Sequence, residues 1–186
     1  MAFIENTAFL PRMWNNRNED LQNVAGQFGA VADGAWATAD CSAGFLCNKG
    51  DHIVGGGYKM TVAADGTADV YACNSGDVQR ISAPNGNVWA VGFDTLGLGA
   101  HSGELCTFSK IVEGETYAFG DGNFSTLVST TNKYATIVNG LLVGSSTAPE
   151  AGTGIYFELD AALGIDVFTV GNHVGMNRYN LIAKKI

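Results

Sequence analysis

Basic side chains are scarce in this sequence, and proline, histidine and charge of either sign are nearly as rare. Ten Lys and Arg stand against eighteen Asp and Glu, a formal net charge of −8. Proteins that grip nucleic acid neutralise phosphates with clustered basic residues. Here the basic residues are scattered and the one adjacent pair is Lys184-Lys185, so no nucleic acid is expected as a partner. Charged residues are only 15% of the chain, against about 25% in ordinary soluble domains. An exterior this poor in charge and rich in glycine implies cover by partners, or work in a particulate or extracellular setting. No apolar run approaches the roughly 20 residues that cross a bilayer, and no membrane is expected. The first charge is Glu5, no basic residue precedes Arg12, and the early apolar runs are three residues long; a secretory signal needs the reverse.

The motifs of catalysis are missing too. Gly97, Gly99 and Gly103 in "GLGAHSG" are one residue too long for a dinucleotide loop and precede no helix, and no Walker pattern occurs. G-x-S-x-G is absent, and none of the three histidines, His52, His101 and His173, stands in a nucleophile–base pattern. Glu158 with Asp160, and Glu113 with Glu115, share strand faces as a carboxylate pair would; a solvated strand end and a turn account for them more simply. Asp121-Gly122-Asn123 lacks the dense oxygen ligands of a calcium loop. Cys41, Cys47, Cys73 and Cys106 do not follow paired C-x2–4-C zinc spacing. They read as free thiols acting as small buried hydrophobes, with Cys73 alternating with small apolar neighbours in "DVYAC". No catalytic residue, metal or cofactor is expected.

What remains is β-structure. Short runs rich in Val, Ile, Thr, Tyr and Phe follow one another, among them "GYKMTVA", "NVWAVGF", "YATIV", "GIYFELD", "DVFTV" and "YNLIAKK". Asp65-Gly66, Asn85-Gly86, Asp121-Gly122 and Asn139-Gly140 punctuate them. This spacing predicts a mainly β chain, an antiparallel sandwich or barrel with an irregular N-terminal arm and little helix. "KYATIVNGLLVG" predicts a hairpin over 133–144 with a type I′ turn at Asn139-Gly140. A short helix ending at Gly29 is expected from Leu21, Val24, Ala25 and Phe28, and one helical turn over "DAALG" at 160–164 stopped by Gly164. Composition shifts near residue 50, which divides the chain into an arm and irregular segment, 1–49, and a β-rich domain, 50–186.

The opening "MAFIENTAFLPRMWNN" places Phe3, Ile4, Phe9, Leu10 and Trp14 where chains usually fray. Either residues 3–10 are an edge strand of the chain's own fold, or they form an arm that buries these side chains on a neighbour by strand addition. Pro11 and the polar "NNRNED" that follows favour the arm. In this reading Phe3, Ile4, Phe9, Leu10 and Trp14 are interface residues.

That opening, the Gly/Ala/Thr-rich body, "TFSKIVEGETYAFGDGNFSTL" and the glycine-punctuated close "GTGIYFELDAALGIDVFTVGNHVGMNRYNLIAKKI" together resemble the small virion proteins of tailed bacteriophages, especially capsid decoration or cement subunits. The resemblance implies a non-enzymatic, homo-oligomeric protein that is assembled onto the virion in the host cytoplasm. Its partners would be the major capsid protein or other virion subunits, and other head or tail components are similar enough to stay open. Two alternatives belong to other classes. A carbohydrate-binding or adhesion sandwich would expose Trp36, Trp89 and Tyr58 as a platform, although Trp89, Val91 and Phe93 alternate on one face as core residues do. A hydrolase would use Glu158.

Overall fold

The computed structural model describes residues 9–12, 23–28, 41–53, 57–64, 66–73, 79–82, 88–92, 106–150, 152, 154–170 and 173–185, with backbone only at 9–12, 23–28, 79–82, 88–92, 106, 168–170 and 173–176. The chain is mainly β, as its turn spacing predicts. One large sheet is built from β1 (Phe9–Arg12), β9 (Thr116–Gly120), β15 (His173–Lys185), β13 (Ile155–Leu159), β11 (Tyr134–Val138), β12 (Leu141–Ser145) and β10 (Phe124–Thr126), in that order. β14 (Ile165–Val170) pairs with β15 beside this path. A closed barrel runs β2 (Asn23–Phe28), β4 (Tyr58–Val62), β3 (Leu46–His52), β5 (Tyr71–Cys73) and β8 (Cys106–Lys110). β6 (Gln79–Ser82) and β7 (Val88–Gly92) pair with each other. Most pairs are antiparallel, but β2–β4 and β10–β12 are parallel, so the architecture is mixed.

The Asn139-Gly140 hairpin is present as expected. Val138 faces Leu141 across a two-residue connection, with Asn139 at φ 51 and Gly140 at φ 77. Both residues take the positive φ that a type I′ turn demands, and that only Asn, Asp or Gly adopts cheaply. Gly140 serves a second purpose, because a Cβ there would overlap the ring of Phe45. Residues 160–164 do make a single turn: Gly164 N–H donates to the Asp160 carbonyl at 2.8 Å, and Gly164 takes φ 57. The Asp160 carboxylate caps it, accepting from the N–H groups of Ala162 and Leu163 at 2.8 and 3.1 Å.

The helix expected to end at Gly29 is a strand instead. Residues 23–28 pair antiparallel with β8, Asn23 against Ser109, and parallel with β4, Gly26 against Tyr58. Glycine at 26 costs a helix about 1 kcal/mol, whereas a strand paired on both edges satisfies its backbone through two ladders. Two strands, β1 and β2, therefore arise from the segment read as irregular, and β3 runs across the composition shift at residue 50. The Asp121-Gly122 signal is not a hairpin turn; Asp121–Asn123 is one 3-10 turn. It is held by Asn123, which is buried, accepts from Gly120 N–H at 3.1 Å and donates to the Ala43 carbonyl at 2.8 Å.

Alternate residues of β3 and β5 feed two cores. Leu46 and Ala72 face each other and pack with Tyr117, Phe119, Phe157 and Leu181 of the large sheet. Cys47 and Tyr71, the next pair, pack with Met60, Cys73 and Phe108 inside the barrel. The two-residue period of a strand sends neighbours to opposite faces, so one pair of strands is the wall between the cores.

Candidate assembly surface

The residues singled out in the sequence are placed unevenly. β1 is the outermost strand of the large sheet, with Phe9 opposite Phe119 and Leu10 opposite Ala118 of the same chain. Residues 9–12 are thus an edge strand of their own fold, the first of the two geometries open to them. An arm that leaves the body would begin before Phe9. Phe3, Ile4 and Trp14 lie outside the described residues, as do the side chains of Phe9 and Leu10. Among the described residues β1 pairs on one side only, and Pro11 leaves its second edge short of an N–H for a further strand.

Several of the groups that might carry chemistry hold structure. Glu158 pairs with Lys133 at 3.5 Å, and Asp160 caps its turn and accepts from the Thr116 hydroxyl at 3.3 Å. Glu113 and Glu115 belong to the turn before β9, closed by Glu115 N–H donating to the Val112 carbonyl. Cys41, Cys47 and Cys73 are buried inside the barrel, each with a carbonyl within weak hydrogen-bonding reach, and burial pushes the Cys47 thiol up. A raised thiol is a poor nucleophile. Among the described residues no three His, Cys, Asp or Glu side chains come together as a metal site would need. His101, Trp36 and Phe93, and the side chains of Cys106, Trp89 and His173, lie outside the described residues. Tyr58 is half-buried, stacked edge-on against His52 with the Lys49 ammonium 4.7 Å from its ring centre, so its face is already occupied.

One cleft of about 290 Å³ lies where the β4–β5 connection meets the ends of β13 and β15. Lys110, ion-paired to Asp69 at 3.1 Å, Glu113 and Lys185 rim it over Ile111 and Ile155. Its polar lining is carboxylate and ammonium, with no hydroxyl, thiol or imidazole.

Two tyrosines have unusual protonation. Tyr179 is buried in the sheet core and donates to Asp121 Oδ1 at 2.8 Å; burial, then the neighbouring carboxylate, pushes it up to about 12. Tyr117 is pushed up to about 12 chiefly by burial, its hydroxyl accepting from Val112 N–H at 2.9 Å. Both are braces rather than acids or bases.

The surface feature that the sequence reading missed is apolar. Leu163, Ile165 and Val167 stand exposed along and just before β14, Val167 to 66%. Their alternation in "LGIDVFTV" looks the same whether a strand is central or at an edge; only the pairing order tells them apart. No family model, no curated protein and no solved structure matches the chain.

Proposed function

We propose that the protein is a non-enzymatic structural subunit of a bacteriophage particle, a capsid decoration or stabilising protein that works in many copies on the virion. The observation that carries this reading is the division of labour on the molecule. Among the described residues Asp69, Glu158 and Asp166 are committed to ion pairs, Asp160 to a cap and Cys41, Cys47 and Cys73 to a core, whereas Leu163, Ile165, Val167 and a sheet edge are left outward. Such a surface binds rather than reacts. The acidic, charge-poor composition, the β body and the resemblance to phage virion proteins support the same reading, with the major capsid protein or another virion subunit as partner and assembly in the host cytoplasm. Co-sedimentation with purified phage heads tests it. Full-length chain should pellet with the heads, and the Phe9→Ala, Trp14→Ala double variant should pellet far less, because aromatic anchors dominate interface energy. Equal pelleting of both would remove the N-terminal segment from the interface, and no pelleting of either would remove the reading.

A glycan-binding module is the second reading, on different residues from those the sequence singled out. Tyr134 and Tyr156 are both half-buried, with ring centres 6.5 Å apart; the Lys133 ammonium lies 5.0 Å from the Tyr134 ring centre, so a sugar would stack on Tyr156 or on the other face of Tyr134. Saturation of this pair by oligosaccharides on a glycan array, with no binding to heads, would favour it.

A further inference from the structure

Among the described residues three strands have one side without a partner in the large sheet, β1, β10 and β14, and two of them carry devices that keep another chain away. β1 holds Pro11, which lacks the N–H a ladder needs, and the charged Arg12. β10 is only three residues long. Short edges, proline and charge are the usual protections of free strands. β14 has six residues, no proline and one charge, Asp166, which Arg178 of β15 holds through Nε at 2.7 Å and a second guanidinium bond.

β13 and β14 together run along one side of β15, interrupted by the excursion at 160–164. Asn180 N–H donates to the Gly164 carbonyl, and this bond sets the phase of the ladder beyond it. Hydrogen-bonded and open pairs alternate along antiparallel strands. Asp166–Arg178 is therefore a bonded pair, while Ile165–Tyr179 and Val167–Asn177 are open ones. Residues in open pairs turn their N–H and C=O groups away from the partner strand. Ile165 and Val167 accordingly direct their backbone groups to the unpaired side of β14, and their side chains are 41% and 66% exposed.

We propose that β14 is a homotypic contact, pairing antiparallel with β14 of a second copy about a two-fold axis. An acidic chain of net charge −8 meets itself at least cost where unpaired charge is absent, and the described side chains of β14 meet that condition, with Asp166 paired to Arg178. The same charge selects the register. Centring the axis on Asp166 would set two carboxylates opposite each other, which is unfavourable. Centring it on Val167 sets Val167 against its own copy, Ile165 against Thr169 and Asp166 against Phe168. A two-fold contact is self-complementary by construction. This deepens the assembly reading by naming the surface through which copies meet.

Light scattering and sedimentation of the full chain across about 1–200 μM test it, because an edge contact of this size is a weak one. The wild type should show a monomer–dimer equilibrium. Val167→Pro removes an outward N–H without touching the β15 ladder, and should weaken dimerisation about tenfold or more. Val167→Lys keeps that N–H but opposes two charges across the axis; it should have the same effect, and it decides the matter if the proline variant does not fold. Circular dichroism should be unchanged in a folded variant. A wild type that stays monomeric throughout, or dimers that persist in Val167→Lys, would overturn the contact. Head co-sedimentation by the same variants keeps the two ideas apart, since it depends on the virion partner and not on dimerisation.

Discussion

A single methyl group at Gly140 and at Gly164 should have very different costs, although both glycines take positive φ. At Gly164 an added Cβ meets nothing, so Gly164→Ala should cost only the left-handed backbone strain, about 1–2 kcal/mol. At Gly140 the same strain is joined by overlap with the Phe45 ring in the barrel core. Overpacking of this kind adds about 1–3 kcal/mol, and chemical denaturation of the two variants side by side isolates that addition. Equal losses would mean the Phe45 ring yields freely. Tyrosine protonation belongs to this scale too. Tyr117 and Tyr179 sit at about 12, above the ordinary value near 10. Between these values the unfolded chain has lost protons that the folded chain keeps, so folding stability falls as pH rises from about 10 to 12 and is fully present below 10. Denaturation midpoints at pH 9 and 11.5 should show the decline, and Tyr179→Phe should flatten it. In ultraviolet titration Tyr117 and Tyr179 should be the last of the six tyrosines to ionise, with Tyr156 also pushed up by burial and the nearby Glu158; all six ionising together near pH 10 would contradict the buried hydroxyls.

Elements differed in how much of themselves the sequence disclosed, and the reason is where their constraints originate. The 134–145 hairpin was legible because its constraint is local: Asn-Gly is chemically suited to the turn and apolar runs flank it. β2 was not, because Leu21, Val24, Ala25 and Phe28 fit a helical face while the strand is imposed by partners 30 and 80 residues away, β4 and β8. The burial of Cys41, Cys47 and Cys73 agrees with the sequence, where Cys73 alternates with small apolar residues, yet nothing local says that alternate residues serve different cores. In the sequence Pro11 and the polar residues after it favour an arm, yet proline is equally at home in an edge strand, and residues 9–12 form one. Its pairing with β9 makes a definite prediction. Deleting residues 1–14 strips a ladder of four residue pairs from β9, whose Tyr117, Ala118 and Phe119 are fully buried. Net hydrogen bonding alone puts the loss at about 2–3 kcal/mol, or a melting temperature lower by roughly 4–10 °C in a chain of this length. A truncated protein that melts like the full chain would show that β1 contributes no stability to the sheet.

Sheet and barrel can unfold together or apart, and the shared wall decides which. β3 and β5 lend Leu46 and Ala72 to one core and Cys47, Tyr71 and Cys73 to the other, and Asn123 ties the 120–124 turn to the Ala43 carbonyl. Losing either core strips one face from the same two strands, which leaves them a single solvated sheet face and an open ladder. Cooperativity of this origin predicts one transition. The buried thiols are its natural reporters: Cys41, Cys47 and Cys73 are at most 1% exposed, so an aromatic disulfide reagent should leave at least three of the four thiols unreacted in native buffer. They should become reactive at the same denaturant concentration at which the far-ultraviolet dichroism of the whole β structure is lost. Leu46→Ala should move both curves together. It removes a fully buried side chain from the sheet core, at a cost of about 2–5 kcal/mol, yet the thiols it unmasks belong to the barrel. If instead the thiols reacted well before the dichroism changed, and Leu46→Ala shifted only the later curve, the barrel would open on its own and the two strands would not couple the cores.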